Sequence, residues 1–217
     1  MITVFGEGRG FRVVWLLEEM GLPYRLRPVD LLAGVERDAE FMAVNPAGFI
    51  PAIQDGDVTM VESIAIMEYL MARYGPTPLA PSPHDPAFAA YQQFLHLGEA
   101  GLAMPVNIGV ASRIVAPAAE KDNWGARWGM KIFESRMRLV RRQLASSLYM
   151  AGGAFTAADI SVSYALQFAR RTGSATLGEA ENAYLTRTTG RDAYHHAMET
   201  CQATKAWAVE VDTGSTA

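Results

Sequence analysis

Cysteine is nearly absent from this chain: of 217 residues only Cys201 carries a thiol. That excludes a disulfide framework, a Cys-x-x-Cys redox pair and a cysteine cluster for zinc. A basic surplus is missing as well. Nineteen Lys and Arg against 23 Asp and Glu leave a net charge of −4, mixed along the chain, which removes the electrostatic footprint that nucleic-acid binding needs. No run approaches the roughly 18 apolar residues of a membrane span, and no charged-then-apolar segment opens the chain, so the expectation is a cytoplasmic protein with neither nucleic-acid nor membrane partners. Serine and cysteine are both absent before Ser63, where the only hydroxyls are Thr3, Tyr24 and Thr59. What is present is a folding composition, with half of the residues hydrophobic and 19% charged, long enough for one large domain or two small ones.

Strand-like and helical segments alternate at first. Ile2 to Phe5 reads as a strand, Val13 to Met20 as a helix, Tyr24 to Val29 as a strand and Glu36 to Val44 as a short helix. The stretch GFIPAIQDGDVTMVES, 48–63, then holds two short strands about an Asp55-Gly56 turn, with Pro51 at a first-strand position where its missing N–H is tolerated. Ser63 is placed to cap the helix that carries Ile64, Met67 and Leu70, and a helix N-terminus with the Glu62 carboxylate beside it forms a small polar site. The alternation predicts an α/β unit whose first two strands are parallel, with the hairpin antiparallel on one edge. YGPTPLAPSPHDP, 74–86, has five prolines and no hydrophobic period, as a linker has. Beyond it the pattern is helical throughout: 88 to about 115, about 122 to 144, 157 to 171, and shorter pieces to about 206.

Within this helical part FTAADI reads as a helix start, Thr156 and Asp159 capping each other while Phe155 staples onto Ile160. The tail VEVDTGSTA reads as frayed. Adjacent His195 and His196 point about 100° apart on a helix, too far to chelate one ion, and are read as structural. Arg136, Arg138, Arg141 and Arg142 read as a solvated face or dimer rim, and Trp124 and Trp128 as core.

A short α/β part, a proline linker and a helical part, with NPAGFIPAI, VESIAIMEYL and FTAADIS, resemble the cytosolic glutathione transferases over essentially the whole chain. GRGFRVVWLLEEMGLPY is similar to that family's first helix. The resemblance implies a thioredoxin-like domain at 1–75, a linker at 76–86 and an all-helical domain at 87–217, usually in a homodimer. It implies a cis bond before Pro51, so that the Ile50 backbone pairs with the cysteinyl part of glutathione. Glu62 would take the γ-glutamyl ammonium, and Ser63 the neighbouring carboxylate through its hydroxyl and N–H. Glutathione is then a co-substrate, with no metal. Met104 and Ile108, with Phe11 facing them, would form an apolar pocket for a small hydrophobic electrophile.

The sequence departs from the family at the position that activates the thiol. In the bacterial and fungal members that GRGFR most resembles, a serine is expected at Gly10. A thiol half-ionised at pH 7 needs its pKa lowered by about 1.5 units from ~8.5, roughly 2 kcal/mol. A helix N-terminus contributes about 0.3–1 kcal/mol, up to ~2 when partly buried, and a hydrogen bond to a charged group about 1.5–3. The N–H groups of Gly10 and Phe11, with Arg9 or Arg12, are the candidate replacements. Phe49 is a second departure, standing at or beside the place where relatives often hold the glycine carboxylate with Lys or His; Arg37 is the candidate substitute. The alternatives are a non-enzymatic protein binding glutathione or a hydrophobic ligand or serving as an interaction module, and a glutathione-disulfide reductase using two glutathiones. Reduction through an enzyme thiol lacks its N-terminal cysteine.

Overall fold

β1 (Ile2–Phe5), four residues with three side chains buried, is the central strand on which the first half is organised. The computed structural model describes residues 1–31 and 34–202. β1 pairs in parallel with β2 (Tyr24–Arg27), Val4 opposite Leu26, and antiparallel with β3 (Ala52–Asp55), Val4 opposite Ile53. β3 turns at Gly56, whose positive φ of 61° suits a tight hairpin, into β4 (Val58–Val61), giving the sheet order β2-β1-β3-β4. The expected mixed sheet with a parallel first pair is the observed one.

Helix α1 (Phe11–Met20) links β1 to β2 and buries every side chain from Phe11 to Leu17, so it is core on nearly all faces. α2 (Ala39–Val44) is capped by Asp38, which accepts from the Phe41 N–H at 3.0 Å. α3 (Ser63–Tyr74) follows β4. Residues 75–87 hold no helix or strand, and among the described residues every regular element after them is helical. The fold is thus a thioredoxin-like α/β unit followed by an all-helical one. A single large hydrophobic core runs through both, from Val4 and Leu16 to Leu166 and Tyr184.

The long helix expected from 88 to about 115 is not uniform. α4 (Phe88–His96) passes into a π-helical segment, Leu97–Ala103, before α5 (Met104–Ile114) resumes α geometry. α6 (Trp124–Leu144), α7 (Ala157–Arg171), α8 (Glu179–Thr189) and α9 (Asp192–Thr200) follow among the described residues. The α7 start is built as expected: the Thr156 and Asp159 capping box is present, and Phe155 and Ile160 lie in the common core. α9 returns to α1, where Arg191 holds Glu19 with two bonds of 2.6 and 2.7 Å. Trp124 and Trp128 are not core. They stack on one another at 5.7 Å on the outside of α6, 69% and 50% exposed, because the buried stripe of that helix runs through Ala126, Gly129 and Phe133. Arg141 leaves the basic run to pair with the buried Glu181 at 2.7 Å. The tail from residue 203 lies outside the described residues.

Candidate functional site

The loop between α2 and β3 is held by one side chain. Asn45, almost fully buried, donates to the Phe49 carbonyl at 2.6 Å and accepts from the Ala47 N–H at 3.1 Å, which fixes the segment Phe49-Ile50-Pro51. The Ile50–Pro51 bond is cis, as is Gly75–Pro76. On the other side of the hairpin Glu62, not Ser63, occupies the N-cap of α3. Its φ of 69° lies in the left-handed region, a conformation that costs a non-glycine residue about 1–3 kcal/mol. Ser63 becomes the first helical residue, buried, with its N–H among the donors that an α-helix leaves open at its start. Neither the Glu62 carboxylate nor the Ser63 hydroxyl has a hydrogen-bond partner among the described residues.

Facing this corner is the mouth of α1. Arg12 is completely buried, its guanidinium 4.4 Å from the centre of the Tyr164 ring and its Nη2 2.5 Å from Glu99 Oε2. Arg9 meets the other carboxylate oxygen at 2.6 Å. Burial works against the charge on Glu99, but the Arg12 and Arg9 guanidiniums overcome it and hold the carboxyl below its ordinary value. Two cations share one anion, and Nε and Nη1 of Arg12 make no hydrogen bond among the described residues. Buried N–H donors without partners are rare, and these stand in the wall of a cavity.

That cavity, about 260 Å³, is lined by Arg9, Arg12, Pro51, Glu62, Ser63 and Glu99 together with Phe49, Ile50, Met104 and Asn107. It therefore has a cationic corner at Arg9 and Arg12 and an anionic one at Glu62. A second cavity of about 640 Å³ adjoins it, sharing Arg9, Phe49, Ile50 and Asn107 and continuing along α5 and the end of α7. It is bounded by Gly8, Leu31, Val110, Ile114 and Phe168 among others.

Several candidates fall elsewhere. The Phe11 side chain is not a pocket wall: it is 2% exposed in the core, edge-on to Tyr194 at 5.5 Å, because α1 buries this face against α9. Its N–H already donates to the Gly8 carbonyl at 3.3 Å. Met104 lines the smaller cavity, whereas Ile108, 45% exposed, lines neither, and Val110 and Ile114 stand in the apolar wall instead. Arg37 belongs to a short 3-10 turn, exposed, and borders neither cavity. Gly10 is the N-cap of α1, and a Cβ there would stand 1.9 Å from the Gly6 carbonyl oxygen, so the backbone leaves no room for the expected serine. Gly8, in contrast, faces the larger cavity with only Ile50 Cδ1 at 3.5 Å. Sequence reasoning missed Glu99, which the irregular π-helical geometry brings to the site, and Asn45, whose signal was the Asn-Pro pair itself.

Residues 10–73 match the glutathione S-transferase N-terminal domain family. Over 179 residues the chain is 31% identical to glutathione S-transferase 3 of Schizosaccharomyces pombe, covering 76% of this chain and 72% of that protein. It is 30% identical to glutathione S-transferase PM239X14 of Arabidopsis thaliana over 74% and 78% of the two chains. Among solved structures, glutathione transferase URE2P8 of Phanerochaete chrysosporium, determined with oxidized glutathione, superposes with a TM-score of 0.82 at 21% identity, over 94% of this chain and 96% of that one. The last likeness is one of fold; with the family match and the relatives of 30% identity or more, it follows that the chain belongs to the glutathione S-transferase family.

Proposed function

We propose that the protein is a glutathione transferase whose thiol-activating group is a guanidinium pair, the buried Arg12 with the partly buried Arg9, instead of a side-chain hydroxyl. The observation that carries this reading is Arg12: fully buried, in the wall of the same cavity as Glu62 and Ser63, with two guanidinium nitrogens lacking partners. Glutathione fits the charge pattern of that cavity. Its γ-glutamyl ammonium pairs with Glu62, the adjacent carboxylate takes the Ser63 hydroxyl and N–H, and its peptide lies along Ile50 and Pro51. The thiol then reaches Arg9 and Arg12, where a cation surplus and the open N–H of the Gly10 turn favour the thiolate. That the URE2P8 structure contains oxidized glutathione supports a site for the tripeptide on this fold.

The thiolate sulfur attacks an electrophilic carbon of a hydrophobic substrate held in the larger cavity. A carbon–sulfur bond forms, and the electron pair of the broken bond leaves with the departing group or moves onto the acceptor of a conjugated double bond. The reading extends to a homodimer that acts in the cytoplasm in detoxification, and sedimentation analysis checks the dimer. Steady-state conjugation of glutathione to 1-chloro-2,4-dinitrobenzene tests the chemistry. Glu62→Gln removes the charge that pairs with the ammonium, Ser63→Ala removes a hydrogen bond to the carboxylate, and each should raise the KM for glutathione about tenfold or more. Unchanged KM values, or no turnover by the wild type, contradict the proposal.

A further inference from the structure

The larger cavity is apolar over most of its wall, with Leu31, Phe49, Val110 and Phe168, yet three arginines and no carboxylate line it. A guanidinium set in an apolar wall offers an anion a charge-assisted partner inside an otherwise apolar pocket. Two of the three are already engaged: Arg9 holds Glu99, and Arg171 donates to Gln167 Oε1 at 3.2 Å and the Tyr194 hydroxyl at 3.5 Å. Arg113 differs. It crosses from α5 to the end of α7, where Nη2 alone donates to Ser174 Oγ at 2.7 Å and to the Thr172 carbonyl at 3.3 Å. Both acceptors are neutral, and among the described residues no carboxylate pairs with it. These bonds fix the plane of the guanidinium through Nη2 and leave its Nε–H and Nη1–H groups for an anionic acceptor.

Position adds a length. Asn107 borders both cavities and Arg113 only the larger. The two stand six residues apart on α5, about 9 Å along its axis. The geometry points to a substrate class: an elongated apolar electrophile that reacts at the Arg9 and Asn107 end and carries a carboxylate about 9 Å away, held by Arg113. This rests on the smaller cavity as the glutathione site.

Unreactive probes separate the two ideas. Biphenyl-4-carboxylate and its neutral carboxamide are titrated calorimetrically into the wild type, Arg113→Gln and Arg113→Lys, with glutathione titrated into the same samples. The wild type should bind the acid about tenfold more tightly than the amide, the size expected of one hydrogen bond between charged groups. In Arg113→Gln the ratio should fall to near one, and Arg113→Lys should restore part of it. Equal affinities in the wild type, or a preference that survives Arg113→Gln, overturn the inference even where glutathione binds normally. Acid preference without glutathione binding supports the anion site and removes the transferase reading instead.

Discussion

Gly10 and Gly8 lie two residues apart and have opposite tolerances. At Gly10 a methyl group meets a backbone oxygen, which has no flexible end to move, whereas at Gly8 it meets the tip of Ile50 at an ordinary distance. Gly10→Ala should destabilise the protein by about 3 kcal/mol in urea denaturation, in the upper range of overpacking, and Gly8→Ala should stay within about 0.5 kcal/mol. Equal effects would mean that the α1 mouth is built otherwise. Sequence reading placed a missing serine at Gly10 because it could align residues but could not see the Gly6 carbonyl turned onto them. It read Glu62 and Ser63 correctly as neighbours at a helix start, since that needs only local spacing. The one-residue shift of the cap came from the positive φ of Glu62, a conformation that side-chain type does not announce.

At the scale of elements the π-helical segment is the least legible and among the most consequential. Leu97–Ala103 presents Glu99 to Arg9 and Arg12, and its inner face presses on α7 so closely that a Cβ at Gly98 would stand 2.6 Å from the Ser161 backbone carbon. The Ser161 hydroxyl meanwhile donates to the Leu95 carbonyl at 2.7 Å, where α geometry gives way. Gly98→Ala should therefore push α4 and α7 apart, lower stability by about 3 kcal/mol and, by shifting Glu99, weaken glutathione binding, read together by denaturation and calorimetry. A fully stable Gly98→Ala would contradict this packing.

The start of α7, by contrast, could be read from six letters, because a capping box is local chemistry. Its Asp159 carries more than a cap: it accepts from Met150 N–H and Thr156 N–H at 2.8 Å each and from the Tyr184 hydroxyl at 3.0 Å. Burial nonetheless pushes its carboxyl up to about 6, against the opposing pull of those bonds. A raised carboxyl binds its proton more tightly folded than unfolded. Its contribution, on the order of 3 kcal/mol, is present below about pH 4 and is lost as pH rises through about 6. The stability difference between wild type and Asp159→Asn should therefore shift against the wild type between pH 4 and 6.5 in urea denaturation. A difference independent of pH would show that the bonds keep Asp159 ionised throughout.

The whole molecule makes the site from distant parts of the chain. The wall of the larger cavity runs from Gly8 to Thr172, and no local pattern announces that α5 and α7 meet the α1 mouth there. The α/β order, the hairpin and the helical second half were legible because alternation and period are local. The charge arrangement was not: Arg12 was a candidate for its place at a helix start, but nothing local announced that it is fully buried and shares Glu99 with Arg9. It is also the residue on which the function turns. A buried guanidinium shared with one carboxylate can lower a thiol pKa by about 1.5 units if the sulfur lies within hydrogen-bonding reach, since such a bond contributes about 1.5–3 kcal/mol. The decisive measurement is the ultraviolet absorbance of bound glutathione titrated from pH 5 to 9 in the wild type and in Arg12→Gln. The account predicts a thiolate that forms near pH 7 in the wild type and about one unit higher in the variant. Glutathione that binds with its thiol pKa unchanged from the free tripeptide would contradict it.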